Sequence, residues 1–281
     1  MAKQFTDMVE NPPNNAMIVD ALNLCFRWKH AGRSDYRYEF QKVVESLAQS
    51  YKAEKTIITA DWGSSTYRKN LDENYKADRK ERFKDQTPEE KVAFEEFFEE
   101  YEQTLKNMQK QGYVVLRYKG VEADDIAASL VLHRKQYELE NIWLISSDRD
   151  WNLLVSEDVS QFSYVTRKEY TLANWSEHYD FPIEKYLDYK VICGDKGDNI
   201  QGFAQIGEKR AVDLISQYDS AFDIYDAIPI DSKYKFMVDL NENPDRIMLN
   251  YKLMDLLSHC DEAIGEGNIS DIREQMGDIK W

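Results

Sequence analysis

The chain presents acids at five separated points. They are Asp20 in "MIVDALN", Asp61 in "KTIITAD", Glu122, Asp124 and Asp125 in "GVEADD", Asp148 and Asp150 in "ISSDRDW", and Asp195 and Asp198 in "VICGDKGDNI". Any one of them reads as ordinary capping or turn chemistry, because Asp caps helices and, with Gly and Asn, closes turns. Gathered in one place they imply something else. Two unit charges about 4 Å apart repel by roughly 4 kcal/mol at an effective dielectric of about 20, so a pocket of such acids cannot stay ionised without cations. Oxygen donors with no matching His or Cys select hard ions, Mg2+ or Mn2+. Two such ions close together activate water, orient a phosphodiester and stabilise the departing oxygen.

A phosphodiester also needs positive charge. The run "YKADRKERFK", residues 75–84, supplies Lys76, Arg79, Lys80, Arg82 and Lys84 beside Tyr75. On a helix Lys76, Arg79 and Lys80 share a face that suits a phosphate, and Tyr75 offers a ring for stacking. The plainer alternative is a solvated helix with Asp78 and Glu81 as internal partners. In "IGEKRA", Gly207 stands just before a helix with Lys209 and Arg210 in its first turn. Free backbone N–H groups at such a terminus bind phosphate without reading bases. Bases placed there oppose the helix dipole, which makes a purely structural purpose less natural.

The elements that must position these groups follow from periodicity. Residues 16–20, 55–61, 113–118 and 141–146 read as strands, and each ends in acid or runs shortly into it. Phe40, Val43, Val44, Leu47, Ala48 and Tyr51 keep helical spacing. Thr87-Pro88-Glu89-Glu90 carries a full helix-start signal, and that helix runs to a stop at Gly112. Another helix starts near Val121. Alternating strands and helices predict an α/β fold with a mostly parallel sheet flanked by helices, and ligands gather at the carboxyl ends of such strands. From about residue 183 the pattern changes to helix, glycine loop, helix, with no further strand pair. If that helical part folds back over the sheet edge, Asp195 and Asp198 join the other acids.

Composition narrows the class further. The chain has 281 residues and a net charge of −16, from 52 acidic and 36 basic residues. That balance argues against nucleic-acid binding unless the acid is concentrated in a metal centre and on outward helix faces. Three cysteines, Cys25, Cys193 and Cys260, form no C-x-x-C and point to a reducing compartment. No apolar run approaches the length of a membrane span, and the first fifteen residues lack a signal-peptide core. The expectation is a soluble, cytoplasmic protein. "DRDWNLL" opens like a calcium loop but has Leu153 where the turn glycine belongs, and the first strand lacks the D-x-D of a haloacid-dehalogenase phosphatase.

The motifs "MIVDALN", "YKADRKERF", "GVEADD", "ISSDRDW", "GDKGDNI" and "IGEKRA", in this order over residues 16 to 260, resemble the 5′-nuclease family. That family comprises the flap endonucleases, among them the stand-alone enzymes of T-five-type bacteriophages, and the 5′→3′ exonuclease domains of bacterial DNA polymerases. The resemblance implies a Rossmann-like (PIN/5′-nuclease) core over 14–182 with a helical arch near 66–100. It implies a helical DNA-binding region over 183–265 containing a helix-three-turn-helix module, leaving 1–13 and 266–281 as terminal extensions. It assigns Asp20, Asp61, Glu122 and Asp124 to one metal, and Asp125, Asp148, Asp150, Asp195 and Asp198 to the second metal or its outer shell. Lys76 and Arg79 would meet the scissile phosphate, Tyr75 the base beside it, and Lys80, Arg82, Gly207, Lys209 and Arg210 the nucleic acid.

Cofactors implied are two or more Mg2+ or Mn2+ ions, with K+ on the loop near Gly202–Gly207. The implied activity is hydrolysis of phosphodiesters at single-strand/duplex junctions during replication, by a monomer acting on DNA with a 5′ flap or 5′ end. RNA primer strands and replication proteins are further partners, and the setting is host cytoplasm if the source is viral. Three departures stand out: Ala21 and Arg149 replace common glycines, and Gln205 replaces one of the G-x-G-x-x-G run. Arg149 is the one feature favouring a rival reading, a non-catalytic protein that binds branched DNA.

Overall fold

A computed structural model describes residues 14–277, and of residues 80–83 the backbone alone. The elements in chain order are β1 (Asn15–Asp20), α1 (Ala21–His30), α2 (Arg37–Ser50), β2 (Lys55–Thr59), α3 (Thr66–Leu71), α4 (Ala77–Lys84), α5 (Pro88–Lys110) and β3 (Val114–Leu116). There follow α6 (Ala123–Leu132), β4 (Asn141–Ile145), a 3-10 turn (Arg149–Leu154), β5 (Val159–Ser163), β6 (Lys168–Tyr170), α7 (Tyr186–Cys193), β7 (Gly194–Asp195) and β8 (Ile200–Gln201). The chain continues through α8 (Glu208–Tyr218), α9 (Ala221–Ala227), α10 (Met237–Glu242), α11 (Asp245–Met254), α12 (Leu256–Ile264) and α13 (Glu266–Gly277). Among the described residues no helix is long and apolar enough to cross a membrane.

The main sheet has the order β3-β2-β1-β4-β5-β6 and is parallel except for the β5–β6 pair. Chain order runs outward from β1 in one direction and from β4 in the other, so the crevice of such a sheet opens between the ends of β1 and β4. Asp20 and Asp148 are the acids that follow those two strands. Side-chain alternation divides the core between two faces. Ala16, Ile18, Ile57, Leu116, Ile142 and Leu144 pack under Ile126 and Leu130 of α6, whereas Met17, Val19, Ile58, Trp143 and Ile145 pack under α1, α2 and α5. A strand covered on both sides must be apolar at consecutive positions, which is why "AMIV" and "NIWLI" are unbroken runs.

The four expected strands and the parallel sheet are present. The helix start at Thr87 is a complete capping box: Thr87 accepts from the Glu90 N–H and Glu90 accepts from the Thr87 N–H. Gly112 follows the helix with φ of +89°, the left-handed stop that glycine favours. Strands β5 and β6 were not among the expected elements, and a two-residue pair, β7–β8, lies beyond residue 183.

The chain forms two compact units, divided otherwise than by a boundary near 183. The first comprises Met1–Thr66, Phe83–Asn174 and Leu256–Trp281; the second comprises Tyr67–Arg82 and Trp175–Asp255. Residues 256–277 rejoin the sheet because Leu256, Cys260, Ile264, Ile269, Ile272 and Met276 are buried in the same core cluster as α6. Local composition shows that a helix is amphipathic but not which core it completes.

Candidate metal centre and nucleic-acid interface

In the first unit the strand-end acids are held by hydrogen-bond donors, one of which Asp20 and Asp148 share. Asp20 is 5% exposed; it accepts from the Asn23 N–H at 3.0 Å, capping α1, and from Ser146 Oγ at 2.8 Å. Ser146 follows β4, and its Oγ accepts from the Asp148 N–H at 3.1 Å. One hydroxyl therefore bridges the acids on either side of the crevice. Burial, the nearby Asp61 charge and, more weakly, Asp148 push the Asp20 carboxyl up to about 8. Asp61 accepts from the Ala123 N–H at 2.6 Å, which fastens the end of β2 to the first turn of α6. Glu122 is the buried cap residue of that helix. Asp124 accepts from Trp151 Nε1 at 2.6 Å, tying α6 to the 3-10 turn that Asp148 caps through the Asp150 N–H at 2.9 Å.

Asp125 differs from these neighbours. It is fully buried in the first turn of α6, and, after burial itself and the Asp261 charge, its charge helps to raise the Cys260 thiol of α12, so the core side of the helix claims it. Among the described residues no three His, Cys, Asp or Glu side chains close tightly enough to form an ion cage. The remaining set still fits a hard cation. Its donors are all oxygens, and a carboxyl raised to about 8 holds a proton at neutral pH that a divalent ion would displace. The buried Tyr101 hydroxyl, on which the Asp61 and Asp20 charges bear, has no hydrogen-bond partner.

In the second unit "GDKGD" is a turn. Asp195 accepts from the Gly197 and Asp198 N–H groups at 2.7 and 3.3 Å and pairs with Lys190 at 3.2 Å. Asp198 gathers Lys76 Nζ at 3.3 Å, Arg79 at 2.8 Å and the Tyr75 hydroxyl at 3.2 Å. Helix α8 begins at Gly207 with no side-chain cap, and Lys209 and Arg210 are exposed in its first turn.

Matches to known proteins follow the same division of strand-end acids and glycine loop. Residues 15–180 match the 5′-3′ exonuclease N-terminal resolvase-like domain, and residues 181–275 match the 5′-3′ exonuclease C-terminal SAM fold. The chain belongs to the 5′-3′ exonuclease family. It is therefore a nuclease, a phosphodiester hydrolase. The chain is 38% identical to the flap endonuclease of Escherichia phage T5 over 253 residues, 89% of this chain and 86% of that protein. The solved structure of the T5 5′-exonuclease with divalent metal ions (zinc) bound superposes with a TM-score of 0.90 at 36% identity, covering 94% of this chain and 99% of the other. A T5 flap endonuclease in a pseudo-enzyme–product complex with DNA and metal ions superposes at 0.87 and 35% identity, covering 93% and 97%.

Several sequence expectations need correction. Tyr75 is 2% exposed and packs in the core with Val191 and Ile192, so its ring is not presented to a base. Lys76 is 9% exposed, has φ of +56° and precedes α4, so it shares no helix face with Arg79. Its partner is Asp198, which neither the phosphate-binding reading nor the solvated-helix alternative named. Arg79 keeps a side chain that is 56% exposed. The side chains of Lys80 and Arg82 lie outside the described residues, as do residues 1–13.

Sequence reasoning missed the brace under the glycine loop. Arg246 of α11 donates to the Gly202 carbonyl and to Asp239 of α10, each at 2.9 Å, and Asp239 accepts from the Ala204 N–H at 2.7 Å. Asn250, one turn along α11, donates to the carbonyls of Val191 and Gln201 at 2.9 Å each. The i, i+4 spacing of Arg246 and Asn250 was the available signal. Glycine is required at 202, where a Cβ would stand 2.0 Å from the Cys193 carbonyl oxygen. Gln205, in place of a family glycine, takes φ of +62°. Asp239→Ala leaves the Ala204 N–H without its acceptor and Arg246 with the Gly202 carbonyl but no carboxylate, and is expected to cost about 1–3 kcal/mol of stability, read as a shift in the urea midpoint.

Proposed function

We propose that this protein is a divalent-metal-dependent, structure-specific 5′ nuclease acting on DNA with a 5′ flap or free 5′ end. The observation that carries the reading is the Ser146 hydroxyl shared by Asp20 and the Asp148 N–H at the sheet's crevice, with burial and the nearby Asp61 charge pushing Asp20 up to about 8. Asp20, Asp61, Glu122 and Asp124 would hold one ion, with Asp148 and Asp150 serving a second. Mg2+ or Mn2+ suits a set made only of oxygens. Ions so held supply the activation of water and the neutralisation of developing charge at a phosphodiester.

The chain's own residues do the rest. Ser146 orients Asp20 and the Asp148 backbone together. Trp151 fixes Asp124. Gly207, Lys209 and Arg210 meet the phosphates of the duplex at the start of α8, a mode that reads backbone and shape rather than base identity. Arg79 offers an exposed guanidinium to the backbone as well. For Lys76 as a phosphate ligand, and for Asp125, Asp195 and Asp198 as metal ligands, the motifs alone lend support. The same holds for K+ at the loop, where Arg246 already occupies the Gly202 carbonyl.

The test is incubation of a labelled 5′-flap duplex with Mg2+ and with EDTA. Cleavage near the junction is expected only with the ion, and is expected to vanish in the double variant Asp148→Asn, Asp150→Asn. Inert wild type, or a double variant as active as wild type, would refute the reading. Binding without turnover would instead favour the branched-DNA-binding alternative raised by Arg149.

A further inference from the structure

We propose that Trp62 is a stacking platform for a nucleobase of the strand being cut, a base-binding subsite on the rim of the carboxylate cluster. The inference rests on the nuclease reading above. Trp62 directly follows Asp61, and its side chain is 51% exposed. A single exposed apolar residue needs no explanation on its own. This one is built into place. Its backbone is fixed on both sides: the Trp62 N–H donates to the Val121 carbonyl at 3.3 Å, and the Trp62 carbonyl accepts from the Gly120 N–H at 2.8 Å.

The indole also has a support. Arg117 stands with its guanidinium 5.3 Å from the Trp62 ring centroid. Arg117 is itself held three ways, with two hydrogen bonds to Glu102 at 2.8 and 2.6 Å and one to the Asp61 carbonyl at 3.0 Å. Glu102 neutralises the cation, so the arrangement orients a flat ring more than it attracts an anion. Such a pinned guanidinium loses little freedom when it stacks. Among the described residues Trp62 makes no other ring or cation contact, so what approaches it from solvent meets an open aromatic surface.

A nucleobase is the occupant that these features favour. Every base has a π face, so stacking on one indole is indifferent to sequence, as a junction-directed nuclease requires. The platform is one residue from a candidate metal ligand, so a base stacked there sets the position of an adjoining phosphodiester. It also takes the part that Tyr75 cannot play while buried at 2% exposure.

The experiment compares wild type, Trp62→Phe and Trp62→Ala. Binding of 5′-flap DNA is measured by fluorescence anisotropy in EDTA, and cleavage kinetics are measured in Mg2+. Loss of one base-stacking contact is expected to lower affinity and kcat/KM about 5- to 150-fold in Trp62→Ala. Trp62→Phe is expected to retain most of both, and thermal melting to change little because the side chain is half exposed.

The decisive arm is a substrate series with one abasic site stepped along the cut strand. One position is expected to impair wild type yet leave Trp62→Ala no worse than it already is. Wild-type affinity and rate in Trp62→Ala, or an abasic series in which every effect persists in that variant, overturns the proposal. Those outcomes leave the nuclease reading standing, whereas wild type that neither binds nor cuts flap DNA overturns the nuclease reading first.

Discussion

Asp20→Asn is expected to reduce metal-activated cleavage by roughly 10³-fold while making the metal-free protein less sensitive to pH. The first effect follows from removing one charged oxygen from a site that is to stabilise charge on a phosphodiester, where several kcal/mol are at stake. The second follows from the direction of the Asp20 shift. Folding raises this carboxyl from 3.8 to about 8, so the folded state holds a proton that the unfolded chain releases. Its contribution to stability is fully present below 3.8 and is lost as pH rises through about 8. Asparagine keeps the Ser146 and Asn23 partners in reach but does not titrate. Urea unfolding in EDTA at about pH 5 and about pH 9 should show a smaller pH difference for the variant than for wild type. An unchanged pH slope would remove the case for a strained, proton-holding Asp20.

Asp198→Ala is expected to be the most damaging single change in the second unit, at about 3 kcal/mol or more. The Lys76 and Asp198 side chains are 8% and 14% exposed, and the carboxylate also takes Arg79 and the Tyr75 hydroxyl. Removing the acid strands a buried ammonium, and breaking such a pair costs about 3–5 kcal/mol even where the intact pair adds little. The double variant Lys76→Met, Asp198→Ala should recover much of the loss, because no charge is then left alone. Urea midpoints for the two singles and the double give the coupling directly. Additive costs would mean that the two charges act independently.

The sheet was legible because its signals are local. A strand buried on both faces must be an unbroken apolar run, and "AMIV" and "NIWLI" have no other easy reading. The acids at the strand ends were visible for the same reason, since their place is set by the strands they follow. The arch residues were not. "YKADRKERFK" looks the same whether Tyr75 faces solvent or core, and the residue that decides it, Asp198, lies more than a hundred positions away. Asp125 beside Asp124 illustrates the limit on a single turn: adjacent acids on a helix diverge, and one is claimed by the core. Trp62 carried a signal that was passed over, a large aromatic placed directly after a strand-end aspartate.

The return of α12 and α13 onto α6 bears on how this protein is made. A ribosome releases β1 through β4, and with them Asp20, Asp61, Glu122, Asp124 and Asp148, well before it reaches Leu256. Until residues 256–276 emerge, α6 has the sheet beneath it but lacks the layer that Leu256, Cys260 and Ile264 supply. A nascent chain can thus carry the full complement of reactive acids while the helix that presents two of them is still loosely seated.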